Sequence, residues 1–365
     1  MRDRLSPRGY RHTMIRNALD SVFIRRYDAL SRRNALERLR LLEHHDGHRL
    51  APNLRRQADA YAREVLGSKA FAPWLYVYAK GRGEFVEAWI PDNFFVRVVI
   101  PNVNGVLRYV PTLKTFTSAV LDSTSIPDVA YVIDGRFYGA GYRPVGKDDV
   151  RDVLFSRGDE VVVKRDDSAG GRDVFFLRAD GFVPDALLQD APNAVVQWRV
   201  DHHPLFTELS GAEGSNLRLL TVRLPDDSLE VRHAALRFGT PNARIYGQGD
   251  GFHALVDHET GRFLERYITS DWRLIERIPD GSRSLGSGSI PGYEAACSTC
   301  LSLHAQVPHL GVIGWDVMID AEEQPWVVEW NARHPAAYGG ETFRGPLFKG
   351  VGWESLRPIR RTWLY

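Results

Sequence analysis

Hydrophobic and polar positions change rhythm several times along the chain. Up to about residue 66, Leu30, Leu36, Leu39, Leu41 and Leu42 recur at near-helical spacing among Arg and Glu. A second helix is expected over 53–65, ended by Gly67. From Trp74 the chain becomes short apolar and aromatic runs broken by Gly, Pro and Asn, which predicts strands at 75–78, 85–90 and 94–100. Asp122-Ser-Thr-Ser-Ile-Pro-Asp128 interrupts the pattern, and strand-like 129–133 follows, with a tight turn at Gly135 into 136–138. Further strands are expected at 160–164, 174–177, 194–200, 217–224 and 232–238. After a polar Gly/Ser-rich loop, 280–292, a helix is expected over 293–306, and strands 312–319 and 326–330 close around a turn. No internal repeat is visible, and the second half reads as mixed α+β with antiparallel pairs.

Composition narrows the class. A chain of 365 residues suggests about two domains at roughly 100–200 residues each. The 44% hydrophobic and 25% charged fractions are globular averages and exclude wholesale disorder. Forty-seven basic and 46 acidic side chains leave a formal charge of +1, which argues against nucleic acid as a global partner. No apolar stretch reaches transmembrane length, and the basic N-terminus lacks the apolar core of a signal peptide, so a cytoplasmic protein is expected. The Arg-rich face of the first 66 residues could dock on acidic lipid or a partner, against the ordinary reading of a solvated helical face.

Four constellations carry candidate chemistry. Val161-Val-Val-Lys164 runs into Asp166-Asp-Ser-Ala-Gly-Gly-Arg172, where a lysine ammonium and the backbone of Gly170 and Gly171 could hold a polyphosphate. Neither a Walker A loop nor a Rossmann turn is present, and a charged hairpin tip is the competing reading. Asp316 lies inside one apolar strand and Glu329 and Asn331 inside the next; period-2 alternation puts the latter two on one sheet face. Three hard oxygen ligands there suit Mg²⁺, unless they form a polar core network with Arg218 or Arg333. Val195-Val-Gln-Trp-Arg-Val200 is an apolar strand able to offer its backbone to a flat heterocycle. His202 and His203 point to opposite faces if extended, and Cys297-Ser-Thr-Cys300 has no second pair to complete a zinc site, so it reads as core. Finally, Arg218, Arg237, Arg333 and His334 could face anionic groups.

Taken in order, these residues resemble an ATP-grasp enzyme, most closely the sugar-transfer-associated ATP-grasp branch. The likeness starts at Ile90-Pro-Asp-Asn93 and Ile100-Pro-Asn-Val-Asn104. It continues through Leu113-Lys114, Thr124-Ser-Ile-Pro-Asp128, the Lys164 strand, Gln197-Trp-Arg-Val-Asp-His-His-Pro204 and Ser215-Asn-Leu-Arg218, and ends at Asp316…Glu329-Trp-Asn331.

That resemblance implies an α+β ATP-grasp fold, two α+β subdomains clamping ATP, with an N-terminal helical extension. The implied division is 1–70 N-terminal helical region, 71–125 pre-ATP-grasp region, 126–200 central subdomain and 201–365 C-terminal subdomain. It implies that Lys114 and Lys164 hold the ATP phosphates, with Ser168, Gly170 and Gly171 in the covering loop. Gln197, Trp198, Arg199 and Asp201 would line the adenine site. Arg218, Lys164 and Arg333 become catalytic residues, Asp316, Glu329 and Asn331 the Mg²⁺ ligands, and Arg237, Arg333 and His334 substrate-facing. Two departures from the branch stand out. Leu113 replaces the usual Asp before Lys114, and Ile245-Tyr-Gly-Gln-Gly-Asp-Gly-Phe-His253 lacks the usual Asp-Asn and Gly-Gly pair. The implied activity is ATP- and Mg²⁺-dependent joining of a small-molecule carboxylate to an amine through an acyl phosphate, alongside partner enzymes of a biosynthetic pathway. The alternatives are phosphotransfer to a hydroxyl, a non-catalytic ATP-binding scaffold, and a general binding protein.

Overall fold

In the computed structural model, which describes residues 7–166, 174–210, 215–239, 251–276 and 288–359, the apolar run after Phe71 is a helix and not a strand. The chain divides into two units, one holding the chain up to Asn102 together with that from Tyr338 onward, the other Val103–Ala337.

The first unit is built on α1 (Pro7–Asp46), α2 (Pro52–Glu64) and α3 (Ala72–Arg82). Every residue of α3 from Ala72 to Ala79 is buried. A segment buried all round has no hydrophobic period, so 75–78 reads equally as strand or helix. The local signals that decide it are Pro73 in the first turn and Gly83, which ends the helix at φ 77°. The strand expected at 94–100 fails for the same reason. Phe95–Val99 winds into a π-helical turn with Phe95, Val98 and Val99 buried, and no strand forms over 85–90. Trp74 donates its indole N–H to Ser31 Oγ at 2.9 Å and Trp89 donates to the Glu341 carbonyl at 3.0 Å, so both large side chains are buried with their polar atom satisfied.

Among the described residues, the second unit has two antiparallel sheets. The first contains β1 (Asp128–Ile133), β2 (Arg136–Gly139), β3 (Glu160–Arg165), β4 (Val174–Arg178) and β5 (Ala194–Trp198), in the order β2-β1-β5-β3-β4. The second contains β6 (Ser215–Arg223), β7 (Leu229–Phe238), β8 (Phe252–Val256), β9 (Phe263–Thr269), β10 (Leu274–Ile275), β11 (Val312–Ile319) and β12 (Pro325–Asn331). Its order is β10-β9-β8-β7-β6-β11-β12. The helix Tyr293–Ala305 packs on one face of this sheet, where Leu217, Leu219, Trp315 and Trp330 form the core; alternation leaves Arg218 and Asp316 for the opposite face. Cys300 is buried within this core and Cys297 half-buried, both as free thiols, in keeping with a packing role. Asn104 fixes the β11 start. Its amide donates to the carbonyls of Val312 and Ala332 and accepts from the N–H groups of Gly311 and Val312, so all four of its bonds are made.

A buried polar relay runs beneath the sheet. His304 Nε2 lies 2.8 Å from the Leu310 carbonyl and must carry the proton. Nδ1 therefore accepts from the Thr221 hydroxyl at 2.7 Å, which in turn accepts from the Trp315 indole at 2.8 Å. Burial lowers His304 to about 4. The unfolded chain, with an ordinary imidazole, binds the proton first as pH falls, so this contribution is whole above about 6.5 and is lost toward pH 4. We expect urea denaturation midpoints to fall across that window. His304→Gln should remove up to about one proton from the slope; an unchanged slope would clear His304 of the effect.

Candidate active site

The three strands β6, β11 and β12 carry charged residues in one transverse row. Asp316 is opposite Arg218 on one side and opposite Glu329 on the other. Arg218 Nε lies 3.0 Å from Asp316 Oδ1, Arg218 Nη2 donates to Oδ2 at 3.3 Å, and Arg237 Nη1 from β7 donates to Oδ1 at 3.2 Å. All three side chains are nearly buried, with exposures of 9, 12 and 13% for Arg218, Arg237 and Asp316. Gly314 makes the room: a Cβ there would stand 2.6 Å from Arg218 Nη1. His253 lies opposite Arg237, two residues along from the Arg218 row, and burial together with the charges of Arg237 and Arg218 lowers it to about 3, so the ring is neutral.

The opposing wall comes from the five-stranded sheet. A β-bulge in β12 leaves Val328 out of the ladder with β11, because Asp316 pairs with Glu329 but Val317 pairs with Val327. The Val328 carbonyl instead accepts from Lys164 Nζ at 2.7 Å and from the Gln197 amide at 3.4 Å. Gln197 also donates to Asp128 Oδ1 at 2.8 Å, while Ser118 and Tyr131 donate to Oδ2 at 2.9 and 3.1 Å. Burial raises Asp128 above the usual carboxylate range against these donors. Burial also lowers Lys164, opposed by the charges of Glu329 and Asp128. Lys114, in the turn Lys114–Phe116, is buried and lines the same cleft as Gln197, Val328 and Glu329. The cleft's open volume is about 10 Å³, room for a single water molecule.

The remaining candidate residues are distributed around this centre. Trp198 packs edge-on against Trp326 at 4.6 Å. Arg199 lies 3.4 Å from Glu160 and 3.7 Å from the exposed Asp201. Asn331 is opposite Gly314, two residues along β12 from Glu329, and its side-chain oxygen accepts the N–H groups of Arg333 and His334 at 3.0 and 2.9 Å. Arg333 and His334 are exposed, and the Arg333 guanidinium lies over the Tyr109 ring at 5.2 Å. Ser168, Gly170 and Gly171, and the 245–250 part of the divergent loop, lie outside the described residues. His202 forms an isolated bridge with Asp320, and His203 Nδ1 accepts from the Leu205 N–H.

Two features of the site were not assigned a role from sequence. One is Asp128, whose signal is a lone carboxylate at the first residue of a buried strand. The other is Asp166, whose two oxygens accept from the N–H and hydroxyl of Thr115, at 2.9 and 2.6 Å, just after Lys164 and beside Lys114.

A divalent ion fits this donor set only in one form. Among the described residues no three His, Cys, Asp or Glu side chains cluster as a metal site. Two carboxylates and an amide match Mg²⁺, which completes its shell with phosphate oxygens and water, and not zinc. Two of the roughly four acceptor positions of Asp316 are taken by arginine and the Asn331 oxygen already accepts two backbone N–H groups, so Glu329 is the most open ligand.

Residues 185–342 match the sugar-transfer associated ATP-grasp family, so the resemblance read from the sequence is borne out over that stretch; Lys114 and Lys164 precede it. No functionally curated protein matches the chain. Among solved structures it is similar to an ATP-grasp ligase PsnB complexed with minimal precursor, at 16% identity and TM-score 0.39, covering 69% of this chain and 64% of that one. It is also similar to N5-carboxyaminoimidazole synthase from Aspergillus clavatus with ADP and 5-aminoimidazole ribonucleotide, at 13% identity and TM-score 0.35, covering 61% and 44%. A third is N5-carboxyaminoimidazole synthetase from Staphylococcus aureus, at 9% identity and TM-score 0.36, covering 73% and 53%. The chain thus spans 44 to 64% of the length of these three enzymes.

Charge pairing separates the two carboxylates experimentally. Asp316→Asn leaves two nearly buried guanidiniums short of their counter-charge and should lower unfolding free energy by about 3 kcal/mol in urea titrations. Glu329→Gln should change it by less than about 1 kcal/mol.

Proposed function

With ATP-grasp sequence over residues 185–342 as the premise, we propose that the chain is an ATP- and Mg²⁺-dependent ligase that joins a carboxylate to an amine. The observation that carries this reading is a cluster of cations around the cleft. Lys164 is within electrostatic reach of Lys114, Glu329, Asp128 and Asp316, and Asp316 in turn holds Arg218 and Arg237. A polyanion such as a triphosphate suits a site where four cations converge. The cleft is closed around the Val328 carbonyl, so nucleotide binding requires Lys164 and Gln197 to leave it. The freed ammonium and amide would then serve the phosphates and the adenine edge, with Trp198, Arg199 and Asp201 beside them.

Each residue then has a separate task. Lys114 and Lys164 neutralise the phosphates, and Ser168, Gly170 and Gly171 cover them. Asp316, Glu329 and Asn331 would hold Mg²⁺, which supplies charge neutralisation at the phosphates when bound. Arg218 meets the charge that develops as a substrate carboxylate oxygen attacks the γ-phosphorus and ADP departs. The amine then attacks the acyl phosphate carbon, releasing inorganic phosphate and a proton and leaving an amide. Arg237, Arg333 and His334 orient the acid or amine. The branch resemblance directs this activity toward polysaccharide or natural-product biosynthesis in the cytoplasm.

The test is ADP release from the full chain with Mg²⁺-ATP across a panel of amino and uronic acids with amine acceptors. We expect release that requires both acid and amine. Lys164→Ala and Glu329→Gln should each lower it at least about 100-fold. Undiminished release from both variants would overturn the assignment. A stable phosphorylated product formed without an amine would identify a phosphotransferase instead.

A further inference from the structure

Away from that cleft, the helical unit contains a second concavity of about 520 Å³. Its walls come from three helices and one turn. Arg32 and Leu36 are one turn apart on α1, Arg55 and Asp59 one turn apart on α2, Lys69 lies on the turn Lys69–Phe71, and Pro73 and Tyr76 lie on α3. Three cations therefore meet one carboxylate. Asp59 is already engaged, accepting from the Tyr76 hydroxyl and lying 3.7 Å from Lys69. Among the described residues, neither Arg32 nor Arg55 is in an ion pair with a carboxylate. The Arg55 guanidinium instead lies over the Tyr76 ring at 4.4 Å.

We infer that this cleft binds a small soluble phosphate ester. The guanidinium forks of Arg32 and Arg55 and the Lys69 ammonium, approaching from three elements, suit the oxygens of one phosphate dianion. The organic part rests on Leu36, Pro73 and the Tyr76 ring. Phosphate alone would leave most of the volume empty, and the volume falls within the range of small-molecule pockets, roughly 300–1,000 Å³. Burial, together with the hydrogen bond to Asp59, pushes the Tyr76 phenol up to about 12, so it stays a donor to Asp59 and adds no negative charge to the cleft. The Arg-rich surface noted in the first 66 residues thus acquires a specific focus at the positions where α1 faces α2 and α3. This inference stands independently of the proposed ligase activity, since every residue in it lies in the helical unit.

Calorimetry on the full chain tests it with glucose 6-phosphate, glycerol 3-phosphate, free glucose and phosphatidic acid vesicles as probes. At least one of the two soluble esters should bind, more weakly as salt is raised, and free glucose should not. Arg32→Gln with Lys69→Gln should weaken the ester at least tenfold while leaving circular dichroism and Mg²⁺-ATP binding unchanged. Lys69→Gln alone, at a side chain 62% exposed, gives a milder loss in the same direction with the least demand on the fold. Equal affinity in these variants, absence of binding by both esters at millimolar concentration, or binding to vesicles alone overturns the inference.

Discussion

A single carboxylate shared by two arginines underlies the geometry of the candidate active site. Arg218 and Arg237 rise from neighbouring strands into nearly dry surroundings, where an unpaired guanidinium would cost several kcal/mol. Asp316 makes their burial tolerable and holds them side by side. Because Arg218 is braced by Asp316 and by the gap at Gly314, its guanidinium is oriented before any ligand arrives. Pre-orientation of this kind is where a phosphate site gains its selectivity, since little side-chain freedom is left to lose.

The opposite wall is set by a different device. One extra residue in β12 pushes the Val328 carbonyl out of the ladder, and the resulting acceptor collects Lys164 and Gln197 from the facing sheet. Asp128 then gathers three donors at the edge of β1, fixing the Gln197 amide by its second hydrogen bond. Polar groups that would each be costly in isolation satisfy one another here, which explains how so many ionisable side chains share a small volume.

How much of this was legible in the sequence varies from residue to residue. The pairing of Asp316 with Glu329 followed from alternation and a short connection, both local properties, and the hairpin register agrees. Lys164 at the end of a β-branched run was equally plain. The Arg218–Asp316 ion pair was foreseen as an alternative to metal binding, and the structure contains it. The contact of Arg237 with Asp316 depends on which strands are neighbours, and spacing alone does not encode that. Neither does the bulge at Val328, a single-residue offset inside an ordinary apolar run. The helices around Trp74 and Phe95 were misread as strands because burial on all sides erases the periodicity that distinguishes the two.

The Val328 carbonyl belongs to one sheet and both of its donors to the other. Under the proposed function, releasing that clasp and admitting the nucleotide are therefore one equilibrium. A ligand's observed grip is its intrinsic grip reduced by the work of unfastening two hydrogen bonds. By the same logic, an alteration that merely loosens the clasp would strengthen binding without adding a single contact to what is bound.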